Sequence, residues 1–285
     1  MIFDINLSPT SLAMIGLLLG AIIGSFLNVV IYRLPLILRA EWTHEAKLFL
    51  QIDFQNEQQL SLATPRSRCP DCGTQLKAMH NIPILSYCFL RGRCSNCNSL
   101  ISVQYPLIEL LSAFVTAYLL IAHGMSEKAL FSLIFSYSLI ALAVIDLHEQ
   151  ILPDQITLPL VWLGLIASIF GYWSDPISAI IGASLGYLSL WSVMHLFKWF
   201  TGKEGMGYGD FKLNAAFGAW LGWQMVPTVI LLSSFLGAVI GLCAIAFLGH
   251  DRRSPLAFGP YLCLAGWIAM EWGEQLSFLF NYLSL

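Results

Sequence analysis

Eight apolar stretches recur along the chain, near residues 11 to 31, 106 to 122, 129 to 146, 156 to 172, 177 to 197, 211 to 226, 227 to 248 and 256 to 271. Most are long enough to cross a hydrocarbon layer about 30 Å thick. The sixth is the shortest-lived as a pattern, because Gly222 and Pro227 interrupt it. Only 11% of the 285 residues are charged and 57% are hydrophobic, whereas soluble domains carry about a quarter charged residues. The chain therefore reads as an all-α integral membrane protein, a polytopic bundle of about eight transmembrane helices. Residues 1 to 10 hold no Lys or Arg and Arg33 follows the first apolar stretch, so that stretch is expected to stay as a helix and not to be removed as a secretory signal. Its Gly16, Gly20 and Gly24 recur at four-residue spacing, as Gly182 and Gly186 do later, which lets helices approach closely. Asn28 falls on the Gly24 face.

Lys and Arg near span ends are retained on the cytosolic side. With the N-terminus outside, every basic residue except Lys128 falls inside, among them Lys198, Lys203, Lys212, Arg252 and Arg253. The net charge of -3 does not enter that rule. Residues 34 to 105 hold seven of the fourteen basic residues, namely Arg39, Lys47, Arg66, Arg68, Lys77, Arg91 and Arg93. The chain thus divides into a first transmembrane helix over 1 to 33, a cytosolic insert over 34 to 105 and a transmembrane core over 106 to 285. Within the insert, 40 to 64 is polar and Gln-rich, the pattern of a loop or short helix.

Four of the seven cysteines stand in Cys69-Pro-Asp-Cys72 and Cys94-Ser-Asn-Cys97, with twenty-one residues between the pairs. Two such knuckles suit one tetrahedral zinc held by four thiolates. Disulfides are disfavoured in reducing cytosol. With no open coordination position the metal would be structural, making this a small zinc-binding insert. Cys88, Cys243 and Cys263 lack partners at ligand spacing and read as apolar packers, and His80 has no metal-binding companion.

Acids are scarce in the apolar part, so two at span edges point to chemistry. Asp146 ends the third span, and Asp210 opens the sixth at the close of Gly205-Met-Gly-Tyr-Gly-Asp210. Two spans lie between them, so both reach the cytosolic face. Two carboxylates held together share one proton, and such a pair can activate water against an amide as aspartyl proteases do. Helix capping at two span ends is the alternative. Gly205, Gly207 and Gly209 allow close passage of a substrate backbone, and the run lacks the Gly-Lys-Ser/Thr ending of a phosphate loop. Asp154 and Glu149 are alternative candidates for the second acid, but Asp154, following Pro153, reads as a helix cap.

At this point the residues resemble a known family, the bacterial type IV prepilin leader peptidases, bifunctional peptidase and N-methyltransferase enzymes. The likeness runs through Gly24-Ser-Phe-Leu-Asn-Val-Val-Ile-Tyr-Arg-Leu-Pro35, Asn81-Ile-Pro-Ile-Leu-Ser86, Arg91-Gly-Arg-Cys94, Ile101-Ser-Val-Gln-Tyr-Pro-Leu-Ile-Glu109, Leu152-Pro-Asp154 and Gly207-Tyr-Gly-Asp210-Phe-Lys212. The resemblance implies that Asp146 and Asp210 are the catalytic pair of a Gly-x-Gly-Asp aspartyl protease and that 106 to 285 is a peptidase core. It implies leader removal from type IV prepilins and type II secretion pseudopilins on the cytosolic side, then methylation of the new N-terminus by S-adenosylmethionine. The implied setting is the bacterial inner membrane, with a periplasmic N-terminus, the lipid bilayer and prepilins as partners, and no nucleic acid. Oligomeric state and the methyl-donor site stay open; Glu109 and Gly92 are candidate contributors, but the structural readings, Glu109 pairing with an insert arginine and Gly92 turning the chain into a knuckle, are favoured. A proton-coupled transporter using the same aspartates is the competing class, though neither inverted repeats nor mid-span acids are evident.

Overall fold

The computed structural model describes residues 7–52, 60–76, 79, 82–203, 205–248 and 257–283. Lys77, His80, Asn81, Arg252 and Arg253 of the sequence reading lie outside the described residues, as does the first residue of the eighth stretch. Among the described residues the chain is helical without strands: α1 Pro9–Phe49, α2 Leu85–Phe89, α3 Gln104–His123, α4 Glu127–Glu149, α5 Asp154–Ile169, α6 Pro176–Thr201, α7 Tyr208–Leu221, α8 Val226–Leu248 and α9 Gly259–Leu283. A short 3-10 turn, Trp223–Met225, joins α7 to α8. Helices satisfy every backbone group internally, which lipid demands of any span. Among the described residues, five segments are long and apolar enough to cross: Pro9–Phe49, Gln104–His123, Glu127–Glu149, Pro176–Thr201 and Trp223–Cys243.

Two compact units divide the chain, Met1–Tyr137 and Ser138–Leu285. In the first, α1 packs on α3 along the glycine stripe that the sequence announced. A methyl group at Gly16 would sit 2.5 Å from Ala117 Cα, at Gly20 2.5 Å from Thr116 Oγ1, and at Gly24 2.8 Å from Glu109 Cα. Asn28 is buried on this seam and its Nδ2 donates to the Tyr105 carbonyl at 3.1 Å. Farther along, Leu12, Leu119, Leu120, Ala129 and Leu133 close a small apolar core.

Helix α1 is longer than the sequence suggested, running through Pro35 to Phe49. Its 41 residues span about 60 Å at 1.5 Å per residue, roughly twice the hydrocarbon thickness. The stretch after Pro35 is rich in Leu, Ala, Glu, Arg and Lys, all strong helix formers, and that propensity carries α1 into the polar segment that read as a loop or short helix. Arg33 is buried on this helix and its guanidinium donates to the carbonyls of Ser61 at 2.9 Å, Leu62 at 3.1 Å and Pro65 at 2.6 Å. It ties the strand-free segment 61–65 to α1.

The second unit is built round α7. All residues from Asp210 to Leu221 are buried except Lys212, and α5, α6, α8 and α9 pack on it. At 14 residues it rises about 21 Å, too short to span, which explains why its apolar pattern was the weakest. Gly222, at φ +82°, stops it. Gly186 and Gly218 bring α6 and α7 into backbone contact: a methyl at Gly186 would lie 3.0 Å from Ala215 Cα, and one at Gly218 would overlap the Gly182 carbonyl. Gly164 on α5 leaves a notch for Trp220, whose indole Nε1 donates to the Leu160 carbonyl at 2.8 Å. Asp175 caps α6 ahead of Pro176, accepting from the amides of Ile177 and Ser178 at 3.0 and 3.1 Å.

Replacing Gly186 by Leu should force α6 off α7 and cost about 1–3 kcal/mol or more through overpacking. The expected readout is a lower thermal unfolding midpoint in detergent, whereas Leu188→Ala, at a half-exposed position, should leave that midpoint nearly unchanged.

Candidate functional site

In the first unit the four knuckle cysteines come together, their sulfurs all within 4.8 Å of one another. Cys69 Sγ and Cys97 Sγ are 3.8 Å apart, matching the edge of about 3.8 Å expected for a tetrahedron with metal–sulfur arms of about 2.3 Å. The two knuckles fold alike. In one, the Cys69 amide donates to the Thr74 carbonyl and the Gly73 amide to the Cys69 carbonyl, both at 2.9 Å; in the other, Cys94 pairs with Ser99 at 2.9 Å and Asn98 donates to the Cys94 carbonyl at 3.0 Å. Gly73 and Asn98 occupy the same left-handed place, with φ of 67° and 59°, where glycine and asparagine are the residues that fit best.

Hydrogen bonds favour the thiolate at Cys72 and Cys94, whereas burial and the neighbouring Cys72 and Cys94 sulfurs push Cys97 the other way. The Thr74 hydroxyl, then the Thr74 amide and the Asn96 side chain, bring the Cys72 thiol down to about 6. Backbone amides of Cys97 and Asn96 lower Cys94 in the same direction. Deprotonated sulfur is the form that ligates metal, so the donor set fits a four-thiolate site. Of the other cysteines only Cys263 is buried, while Cys88 and Cys243 are exposed, so apolar packing describes only the first of these.

The chain between the knuckles is held by α3. Ile84 adopts φ 61°, ψ -51°, a conformation that β-branched residues avoid. Its amide donates to Glu109 Oε2 at 2.7 Å, and the Ser25 hydroxyl bonds to the same carboxyl. Glu109 is therefore a buried latch on a strained turn and does not pair with an insert arginine through any contact seen here. Gly92, at φ 67°, lies against the Tyr87 ring, where a methyl would come within 2.9 Å of the phenol oxygen. Both residues thus have structural occupations.

In the second unit the end of α4, the loop to α5 and the starts of α7 and α9 meet. Asp146, in the last turn of α4, is 6% exposed and Asp210, in the first turn of α7, is 8% exposed. They are near enough for the charge of Asp146 to act on Asp210. Each carboxylate is met by backbone amides at a helix start, where the first four N–H groups have no partner inside the helix. The Gly259 amide donates to Asp146 Oδ2 at 3.0 Å. The Asp210 amide donates to the Gly207 carbonyl at 3.3 Å, and the amides of Gly207 and Asp210 lie near the Asp210 carboxylate. Gly207 is the N-cap of α7 and Asp210 the third helical residue, the position whose side chain faces back toward the cap. Its Oδ1 is buried with no partner among the described residues.

The glycine run has a steric reason too. A methyl at Gly209 would sit 2.7 Å from Leu152 Cβ, so only glycine lets the α4–α5 loop close on α7. That loop is latched from outside by Lys212 Nζ, 2.6 and 2.7 Å from the Asp154 carboxylate oxygens. Asp154 begins α5 without making a side-chain cap bond, so its work is this ion pair and not the capping that Pro153 suggested. Gly259 went unnoticed in the sequence because it sits in an apolar stretch, 113 residues from Asp146, and Cys263 was read only as an apolar packer. One helical turn past Gly259, the buried Cys263 is within electrostatic reach of both acids.

Residues 18–123 match the family model described as the bacterial peptidase A24 N-terminal domain, and residues 133–242 match the type IV leader peptidase family. The chain is 47% identical to a prepilin leader peptidase/N-methyltransferase of Pseudomonas putida over 270 residues, 95% of this chain and 94% of the relative. Proteins of the same name are 47% identical in Aeromonas hydrophila, over 93% of each chain, and 44% identical in Legionella pneumophila, over 89% of each. No solved structure matches.

The cysteine cluster predicts one tightly held metal per chain in purified protein, with zinc as the element found. Cys94→Ser should abolish it and lower the thermal midpoint by on the order of 10 °C. Full stability after metal removal would contradict a structural role.

Proposed function

Because the chain belongs to the type IV leader peptidase family, we propose that it removes the leader from prepilins and methylates the exposed N-terminus, with Asp146 and Asp210 as the proteolytic pair. The observation that carries the reading is the convergence of two buried carboxylates in the second unit, Asp146 with an oxygen held by the Gly259 amide and Asp210 with a buried Oδ1 that has no partner among the described residues. In the proposed cleavage the pair shares one proton. The ionised carboxylate takes a proton from water as the water oxygen bonds to the scissile carbonyl carbon, while the protonated partner donates a hydrogen bond to the carbonyl oxygen. The tetrahedral adduct then collapses, the carbon–nitrogen bond breaks, and the amine leaves with the proton collected from water. The free oxygen Asp210 Oδ1 is the natural partner for that water or for the substrate amide.

Substrates are prepilins and pseudopilins, as the relatives' name and the sequence resemblance suggest. The orientation follows from the basic residues, which place the N-terminus in the periplasm and the acids at the cytosolic face of the bacterial inner membrane. Zinc, held by Cys69, Cys72, Cys94 and Cys97, holds the insert together without taking part in hydrolysis, because four protein ligands leave no position for water. S-adenosylmethionine is the methyl donor proposed from the relatives' name. A proton-coupled transporter has nothing in its favour: the acids sit at helix ends and the relatives named above are enzymes.

Purified protein incubated with a prepilin and S-adenosylmethionine should yield a shortened pilin carrying one added methyl group, read by the mass of its N-terminal peptide. Asp146→Asn and Asp210→Asn should each reduce leader removal by at least about 1,000-fold while retaining membrane abundance and methylation of a leaderless pilin. Cleavage surviving in either variant would refute the assignment of the pair.

A further inference from the structure

We propose that the backbone amide of Gly259, backed by the side chain of Leu152, is the positioning element that holds Asp146 in register for peptide hydrolysis; this rests on the reading of Asp146 as catalytic. The Gly259 N–H donates to Asp146 Oδ2 at 3.0 Å in a buried contact linking residues 113 apart in sequence. As the first residue of α9, Gly259 has an N–H that the helix ladder does not use. Pro260 follows and carries no N–H, which leaves Gly259 as the donor at this corner.

Glycine is dictated by space at this position. A methyl group there would stand 2.6 Å from Asp146 Oδ2, 3.0 Å from its Cγ and 3.2 Å from Leu152 Cδ2. The carboxylate approaches the α9 start so closely that any side chain would push it away. Leu152 fixes the other side. It packs against Gly259 and also against Gly209, the residue before Asp210, where a methyl would lie 2.7 Å from Leu152 Cβ and 3.4 Å from its Cδ1. A single leucine therefore touches both the residue that holds Asp146 and the residue that precedes Asp210, and so sets the spacing of the elements that carry the acids.

The two acids consequently have unequal freedom. Asp146 is tied by an oxygen to α9, whereas Asp210 Oδ1 has no partner among the described residues. Displacing Asp146 should harm the chemical step while leaving substrate binding intact, because Gly259 and Leu152 act through the acid and not on the substrate.

The test compares Gly259→Ala, Leu152→Ala and Asp146→Asn in full-length protein, following leader removal from a prepilin and, separately, methylation of a leaderless pilin peptide. For Gly259→Ala, kcat for cleavage should fall about 100-fold, the usual consequence of a misplacement near 1 Å, with KM within about threefold and methylation at the wild-type rate. Leu152→Ala removes the wedge without adding atoms and should lower kcat about 10-fold at unchanged KM. Wild-type kcat in Gly259→Ala, or a loss confined to KM, overturns the proposal. Should Gly259→Ala also lose methylation and thermal stability, Leu152→Ala decides: wild-type kcat overturns the proposal, and a lower kcat at constant KM upholds it. Cleavage by Asp146→Asn would instead overturn the catalytic reading beneath it.

Discussion

The second unit depends on the use of helix starts as partners for buried acids. A carboxylate at the edge of a lipid-facing bundle has little water to accept hydrogen bonds from, and leaving it bare is costly. The first amides of a helix are the groups in such a bundle that are unsatisfied by construction and that favour negative charge. Asp146 uses the start of α9 through Gly259, and Asp210 uses the start of α7 through Gly207. The glycines follow from this arrangement. Gly209 and Gly259 are bare because Leu152 and the Asp146 carboxylate occupy the space their side chains would fill.

The same economy of small residues shapes the spans. Lipid tails are as apolar as leucine, so helices in a bilayer gain by close contact more than by burial of apolar surface. Gly16, Gly20 and Gly24 against α3, and Gly182 and Gly186 against α7, supply that contact. The result for α7 is a short helix, enclosed from Asp210 to Leu221 except at Lys212, that delivers Asp210 to the candidate site without itself needing to span. The knuckles in the first unit obtain their order differently, from paired backbone turns round four thiols, with Arg33 and Glu109 fastening adjoining segments to α1 and α3.

Much of this was legible in the chain itself. Hydropathy located the helices, of which five among the described residues are long and apolar enough to cross a membrane against the eight expected; the paired cysteines pointed to a candidate metal site whose sulfurs do converge; and counting spans between Asp146 and Asp210 gave the expectation that the two acids share a face. Period and spacing are local signals, and each of those features is local. What escaped notice was non-local or energetic. Gly259 resembles any glycine in an apolar run until the fold carries it to Asp146. The continuation of α1 from 36 to 49 was only partly visible, because the polar residues from 40 onward read as a loop or short helix and not as part of one long helix. Asp154 seemed a cap from its place after Pro153, but the fold offers it Lys212 instead.

The most direct measurement of the central claim is the affinity for a prepilin peptide in which a secondary alcohol replaces the scissile carbonyl. A carboxyl pair sharing one proton both donates to and accepts from such a hydroxyl, as it does with the tetrahedral adduct. The alcohol peptide should therefore bind at least about 100-fold more tightly than its methylene counterpart, and the advantage should vanish when either Asp146 or Asp210 is replaced by Asn. Equal affinity for the two peptides in the unaltered protein would contradict a proton-sharing pair.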